Sequence, residues 1–143
     1  MRHETSISVN ATPGRAWDVM KDVERWPEWT PSMSKVELLQ PGEVRVGSKV
    51  KITQPKFPSA VWTVTKVEPD RYLEWRSTSP ILTSTGEHRI EPEGTGCRLT
   101  LGIEQTGLLV PVLKLFYKKT ILEYLDMEAK GFKVRAESGV PSP

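Results

Sequence analysis

Two ionisable side chains of this sequence are candidates for moving protons. His88 falls on the apolar face of an alternating segment, and Glu128 falls on the apolar stripe of a predicted C-terminal helix. Imidazole exchanges protons near neutral pH, and burial raises the pKa of a carboxyl group, so the two together suit enolisation or dehydration of a carbonyl compound. Each also has a structural explanation: a buried histidine that only hydrogen-bonds a neighbour, and a carboxylate that reaches solvent or an arginine.

A second group of side chains on the predicted inward faces is suited to line a ligand pocket. Hydroxyl and amide groups would hydrogen-bond a carbonyl-rich ligand, and tryptophans would stack against a planar one. Taken singly, each of these residues is also explained as part of the core or its rim. The predicted pocket consists of Trp29, Ile52, Gln54, Trp62, Trp75, Ser84, His88, Tyr117, Thr120 and Tyr124.

The aromatic composition is unusual, with five tryptophans against three phenylalanines and three tyrosines. Trp17 and Trp26 are predicted to pack the short helices of the N-terminal region. Trp29 is predicted at the mouth of a cavity, and Trp62 and Trp75 on the inward face of a sheet, opposite a long helix. At least three of the five tryptophans should therefore border one cavity.

The overall composition excludes several other chemistries. The 143 residues are enough for one domain, and a net charge of +2 predicts no strong attraction to nucleic acid or an anionic membrane. A single cysteine with two histidines excludes an internal disulfide and a thiolate-rich zinc site, so we expect no metal and no cofactor. The chain has neither the ~20-residue apolar run of a membrane span nor a secretory signal. A cytoplasmic protein, monomeric or weakly dimeric, is predicted.

Periodicity and turn residues predict an α+β fold. A strand at 5–10 precedes a helix with Thr12 as N-cap and Pro13 in its first turn, and a second short helix spans 24–29. After Gly107 one long helix is predicted to about residue 137, and the tail 138–143 is predicted to be disordered. Between these helices the period is two, and turns too short for crossover helices predict an antiparallel meander with strands near 35–40, 47–55, 60–68, 71–78, 82–91 and 97–105.

Several segments resemble one protein superfamily. They are ISVNATPGRAWDV at 7–19, RWPEWTP at 25–31, GTGCRLT at 94–100 and AKGFK at 129–133. These segments are similar to the polyketide cyclase/dehydrase and lipid-transport superfamily, also called SRPBCC or START-like, which has the helix-grip fold of the birch pollen allergens. The resemblance implies one ligand-binding domain over residues 1–137, in which a seven-stranded curved antiparallel sheet wraps around a long C-terminal helix.

The resemblance also implies a cavity for a hydrophobic or aromatic small molecule, without implying catalysis. A carrier that binds a polyketide- or lipid-like ligand is the leading hypothesis. The alternative is a cyclase/dehydratase-like enzyme, in which His88 or Glu128 carries the proton. A third hypothesis, a ligand sensor, would require a partner protein because the chain offers no output domain.

Overall fold

A computed structural model describes residues 1–139. Its seven strands form one sheet, and every neighbouring pair is antiparallel, in the order β1-β7-β6-β5-β4-β3-β2. This arrangement confirms the predicted antiparallel helix-grip architecture. The strands are β1 (Arg2–Val9), β2 (Lys35–Leu38), β3 (Lys49–Thr53), β4 (Ala60–Glu68), β5 (Tyr72–Thr78), β6 (Thr83–Glu93) and β7 (Gly96–Thr106).

Tight turns explain why the central strands pair along most of their length. Asp70 at the β4–β5 turn and Gly94 at the β6–β7 turn have positive φ values of 67° and 58°. Asp and Gly tolerate this left-handed backbone, which reverses the chain within a few residues. A bulge between Val64 and Lys66 interrupts the β4–β5 register and bends β4, as a curved sheet requires.

Two short helices follow β1. Helix α1 spans Pro13–Lys21, and the Thr12 hydroxyl accepts a hydrogen bond of 3.1 Å from the Arg15 amide, which caps the helix as predicted. A 3₁₀ helix spans Val23–Glu28 and contains Pro27. Their apolar sides face the concave surface of the sheet, so the N-terminal region closes one side of the interior.

The predicted C-terminal helix is divided in two. Helix α2 spans Val110–Phe116 and α3 spans Lys118–Glu137, with Tyr117 between them at φ −123° and ψ −2°. The Tyr117 amide still bonds the Leu113 carbonyl at 2.9 Å, and the Ile121 amide bonds the Tyr117 carbonyl at 2.9 Å. The division is therefore an interruption at one residue, Tyr117, which stays hydrogen-bonded to both helices. The periodicity did not reveal it because the spacing of the apolar residues continues through Tyr117.

The core lies between the sheet and the faces of α1, the 3₁₀ helix and α3. The indole Nε1 of Trp26 donates a 3.0 Å hydrogen bond to the Met20 carbonyl, which satisfies the one polar atom of this fully buried side chain. Strand residues that alternate along β6 and β7 complete the packing. The largest fully buried side chains are Trp26, Phe132, Met20, Leu73, Leu99, Val23, Val50 and Val64.

Helix α3 ends at Glu137, where the predicted domain ends. The predicted disordered tail 138–143 falls largely on residues 140–143, which lie outside the described part of the chain. Within residues 1–139, no helix combines the length and hydropathy required to cross a membrane.

Candidate functional site

A small internal cavity lies where α3 faces the 3₁₀ helix and the central strands. Its volume of about 10 Å³ is close to the minimum that holds one water molecule. Five of its lining residues are apolar or aromatic, and two are ionisable. The lining residues are Met20, Trp26, Trp29, His88, Leu101, Glu128 and Phe132.

His88 contributes an imidazole with a fixed tautomer. Strand pairing places it opposite Leu73, and its Nδ1 lies 2.8 Å from the Leu73 carbonyl oxygen. A carbonyl only accepts, so Nδ1 carries the hydrogen and Nε2 keeps a lone pair when the ring is neutral. Burial lowers the pKa of His88 to about 4, against the opposing effects of the Leu73 carbonyl, Glu87 and Glu74. At neutral pH the ring is therefore uncharged, and its Nε2 has no hydrogen-bond partner among residues 1–139.

Aromatic rings hold the His88 imidazole in place. The Trp26 ring lies 5.1 Å from the imidazole centroid and the Trp75 ring 5.0 Å, both in edge-to-face orientations. Trp75 fits beside the imidazole because its strand neighbour is Gly86, where a Cβ would lie 2.8 Å from the Trp75 Nε1. The ring of His88 thus has little freedom to rotate away from the cavity.

Glu128 contributes a carboxyl group from the inner face of α3. It is half-buried, and burial alone raises its pKa to about 8. Neighbouring lysines do not neutralise it: Lys130 pairs with Asp126 at 2.9 Å and Lys133 with Glu137 at 2.7 Å. Within the described part of the chain its carboxyl group has no hydrogen bond or ion pair. Glu128 is therefore mainly protonated at neutral pH and has an O–H to donate.

The two ionisable groups have complementary hydrogen-bonding character. Burial keeps both uncharged at neutral pH, because it opposes the imidazolium of His88 and the carboxylate of Glu128 alike. Glu128 can then donate a hydrogen bond, and the Nε2 of His88 can accept one. A molecule in this cavity meets an apolar wall that carries one donor and one acceptor.

The approach of α3 to the cavity depends on a glycine. A Cβ at Gly131 would lie 1.8 Å from the Trp29 carbonyl oxygen and 3.3 Å from a carbon of its indole ring. Phe132, the next residue, packs edge-to-face on the Trp29 ring at 5.6 Å. Glycine at 131 lets the α3 backbone lie directly against Trp29, which sets the width of the cavity.

An aromatic cluster covers the first turns of α3. The Phe57 ring, in the β3–β4 loop, lies 5.4 Å from the Tyr117 ring and 5.8 Å from the Tyr124 ring. The Lys56 amide donates a 3.1 Å hydrogen bond to the Tyr124 hydroxyl. The β3–β4 loop is thus fastened to α3 by one hydrogen bond and two ring contacts.

The structure brings three predicted site residues to the cavity: Trp29, His88 and Glu128. Trp75 contacts two of the cavity residues without lining the cavity itself. Tyr117 and Tyr124 lie in the aromatic cluster with Phe57, and Tyr117 is exposed.

The other predicted pocket residues lie apart from the cavity lining. Ser84 is buried beside Gln105, whose side-chain nitrogen is 3.5 Å from the Ser84 hydroxyl. Ile52 is a core residue, and Trp62 packs against the core from a partly buried position. Gln54 and Thr120 are partly buried. The lining therefore contains two tryptophans, Trp26 and Trp29, and not the trio predicted from the sequence.

Sequence reasoning missed several residues that form or cover the cavity. Met20 and Phe132 lie on apolar helical stripes, and Leu101 lies on the inward face of β7. These patterns predict that the three side chains are buried, but they do not predict that the side chains line a cavity. Trp26 was predicted only as a packing residue of the short helices. Phe57 lies in a proline-rich loop without periodicity, where no signal indicated its contacts. Across residues 1–139, no group of three or more His, Cys, Asp or Glu side chains is placed to hold a metal ion.

Comparisons with known proteins agree with the observed fold. Solved structures with the same fold include a START superfamily protein from Mycobacterium smegmatis, with a TM-score of 0.79, 18% identity and coverage of 97% of this chain and 99% of that one. The protein TTHA0849 from Thermus thermophilus has a TM-score of 0.79 at 15% identity, with coverage of 99% and 100%. The Zhui aromatase/cyclase from Streptomyces sp. R1128 has a TM-score of 0.76 at 19% identity, with coverage of 99% and 96%. At these identities the likeness shows a shared fold alone.

The sequence itself carries the family assignment. No curated protein matches the chain in sequence. The family model described as "Polyketide cyclase / dehydrase and lipid transport" matches residues 1–137, which is nearly the whole chain. The protein belongs to the polyketide cyclase/dehydrase and lipid-transport family.

Proposed function

We propose that this protein is a carrier that binds a small hydrophobic molecule bearing a carbonyl or hydroxyl group, between α3 and the sheet. The observation that carries the proposal is the pair formed by Glu128 and His88, a donor and an acceptor without protein partners in an apolar cavity. A ligand hydroxyl can accept a hydrogen bond from Glu128 and donate one to the Nε2 of His88, whereas a ligand carbonyl can accept from Glu128 alone. The family description and the shared fold with an aromatase/cyclase support a hydrophobic ligand.

The cavity must widen to hold such a ligand, because small-molecule pockets occupy about 300 Å³ or more. The region able to move is the one with the weakest packing. Helix α2 buries only Leu113, and the β3–β4 loop is held to α3 by few contacts. Segments with few buried contacts open at the lowest free-energy cost. We infer that helix α2 and the β3–β4 loop are the segments that move when a ligand enters.

Two matched probes test the proposal. 2-Acetylnaphthalene has a carbonyl group, whereas 2-ethylnaphthalene has a similar shape without one. Quenching of tryptophan fluorescence reports binding, since Trp26 and Trp29 border the cavity. We expect the ketone to bind about fivefold more tightly, the value of one net hydrogen bond. Glu128→Leu should remove the difference, while Glu123→Gln, an exposed position on the same helix, should preserve it. Absence of saturable quenching, or equal affinities in the wild type, overturns the proposal.

A second candidate function is acid–base catalysis of enolisation, because a proton donor and an acceptor border one cavity. In such a step a hydrogen on the carbon beside the carbonyl passes to the Nε2 of His88, and the carboxyl proton of Glu128 passes to the carbonyl oxygen, which yields the enol. The pKa values favour the carrier, however. An imidazole with a pKa of about 4 is a weak base, and general catalysts work best near the ambient pH.

Deuterium exchange separates the two functions. In D₂O an enolising protein exchanges the methyl hydrogens of 2-acetylnaphthalene faster than buffer does, which mass spectrometry measures directly. Exchange at the buffer rate, with binding intact, identifies a carrier. Accelerated exchange that is lost in both His88→Gln and Glu128→Gln but kept in Glu123→Gln identifies an enzyme.

A further inference from the structure

Helix α2 and the residue before it expose an unusual amount of apolar surface. Leu108 is 82% exposed, Leu115 75% and Phe116 70%, and Val112 is 42% exposed. Val112, Leu115 and Phe116 follow the i, i+3, i+4 spacing of one helical face, while Leu113 points into the core. We call Leu108, Val112, Leu115 and Phe116 the α2 apolar face. Side chains this large are rarely exposed together without a binding role.

Lysines border this face at its α3 end. Lys118 and Lys119 line the groove that begins at Leu115 and Phe116, whereas Lys114 lies on the opposite side of α2. Residues 105–122 contain Lys114, Lys118 and Lys119 and no aspartate or glutamate. Lys114 and Lys118 have no ion pair within residues 1–139, and Lys119 approaches Glu123 only at 4.0 Å. The positive field extends to His3, whose pKa is lowered by burial first and by Lys118 and Lys114 in addition. The net charge of +2 for the whole chain does not reveal this local excess of positive charge.

Acidic side chains begin only farther along α3. A shallow outer groove runs from Leu115 and Phe116 past Leu122 to Glu123 and Asp126. Asp126 is paired with Lys130 at 2.9 Å, so its charge is largely compensated. The α2 end of this surface is therefore apolar and positive.

We propose that the α2 apolar face docks on the surface of an anionic phospholipid bilayer. The four apolar side chains would enter the boundary between headgroups and acyl chains, while Lys118 and Lys119 contact lipid phosphates. Large apolar residues flanked by lysines are the composition that interfacial helices use. This docking is independent of the cavity and of the ligand proposed above.

Charge complementarity selects the bilayer over a second copy of the chain. In a symmetric dimer the same patch faces itself, which would bring Lys118 and Lys119 close to their counterparts. An anionic bilayer supplies both the apolar phase and the negative charge.

Vesicle co-sedimentation tests the proposal with the full chain. Phosphatidylcholine vesicles that contain phosphatidylglycerol are compared with phosphatidylcholine vesicles alone. We expect binding to the anionic vesicles, weakened at high salt. The double variants Leu115→Ser/Phe116→Ser and Lys118→Gln/Lys119→Gln should each bind at least about tenfold more weakly. All four positions are exposed, so these variants should fold normally.

Matched controls change the same residue types elsewhere. One control replaces Leu39 and Val46 by serine; these residues are 50% and 63% exposed and lie between β2 and β3. The other control replaces the exposed Lys35 and Lys51 by glutamine. The controls should bind like the wild type. The proposal is overturned if anionic vesicles are not bound, if the Leu115/Phe116 and Lys118/Lys119 variants bind as well as the controls, or if Leu115→Ser/Phe116→Ser instead dissociates a dimer in light scattering.

Discussion

Gly131 of α3 lies directly against the backbone of Trp29, so close that a Cβ at this position would be 1.8 Å from the Trp29 carbonyl oxygen. The contact joins the long helix to the segment that follows the 3₁₀ helix, and it holds Trp29 at the cavity. Because the obstructing atom belongs to the backbone, a side chain at 131 cannot be accommodated by a rotamer change. The helix or Trp29 must move.

We therefore expect Gly131→Ala to destabilise the fold. Alanine normally stabilises a helix interior by ~1 kcal/mol relative to glycine, but overpacking costs about 1–3 kcal/mol or more. Urea unfolding should show a net loss of about 1–2 kcal/mol and a shifted tryptophan emission spectrum. Gly14→Ala in α1 is the matched control, since nothing lies within 4 Å of its Cβ, and it should be neutral or stabilising. Equal effects of the two substitutions would contradict the role of the Trp29 contact.

The inward and outward faces of the strands could be predicted from the sequence, because apolar and polar residues alternate along the strands of an antiparallel sheet that is buried on one face. His88 and Leu101 follow this rule, and Glu128 follows the helical period. The interruption of the helix at Tyr117 could not be predicted from periodicity, and it coincides with a ring contact to Phe57, which is distant in the sequence. The position of Trp26 at the cavity could not be predicted either. Periodicity shows which face of a helix or strand is buried, but it does not show which other helices and strands pack against that face.

A pH dependence of stability follows from His88. Its pKa falls from 6.5 to about 4 on folding, so the unfolded chain binds the proton more readily and stability falls as the pH drops from 6.5 to 4. The full difference is about 3 kcal/mol. Urea midpoints measured across this range should show a smaller loss for His88→Gln than for the wild type. A loss that is the same in His88→Gln and in the wild type would contradict the prediction.

Glu128 gives the opposite trend at higher pH. Its pKa rises from 4.5 to about 8 on folding, so the folded state holds the proton more tightly, and stability falls as the pH rises from 4.5 to 8. Glu128→Gln removes this loss, because the amide never ionises. Above pH 8 the variant should exceed the wild type in unfolding free energy by at least about 1 kcal/mol. Glu123→Gln, at an exposed position on the same helix, should show no such gain. The prediction would be wrong if the difference between the urea midpoints of the wild type and Glu128→Gln did not change with pH.

The ionisation of Glu128 should also control ligand preference. Below pH 8 its carboxyl group donates a hydrogen bond to the carbonyl of 2-acetylnaphthalene, but the carboxylate formed above pH 8 only accepts. The ratio of affinities for 2-acetylnaphthalene and 2-ethylnaphthalene should therefore decline toward one as the pH rises through 8. In Glu128→Gln the amide remains a donor, so the ratio should not change with pH. Ionisation of Glu128 changes the polarity of the cavity equally for both ligands. The ratio of their affinities therefore reports only the contribution of the hydrogen bond. A constant ratio in the wild type, or an equal decline in the Gln variant, would assign the preference to another group.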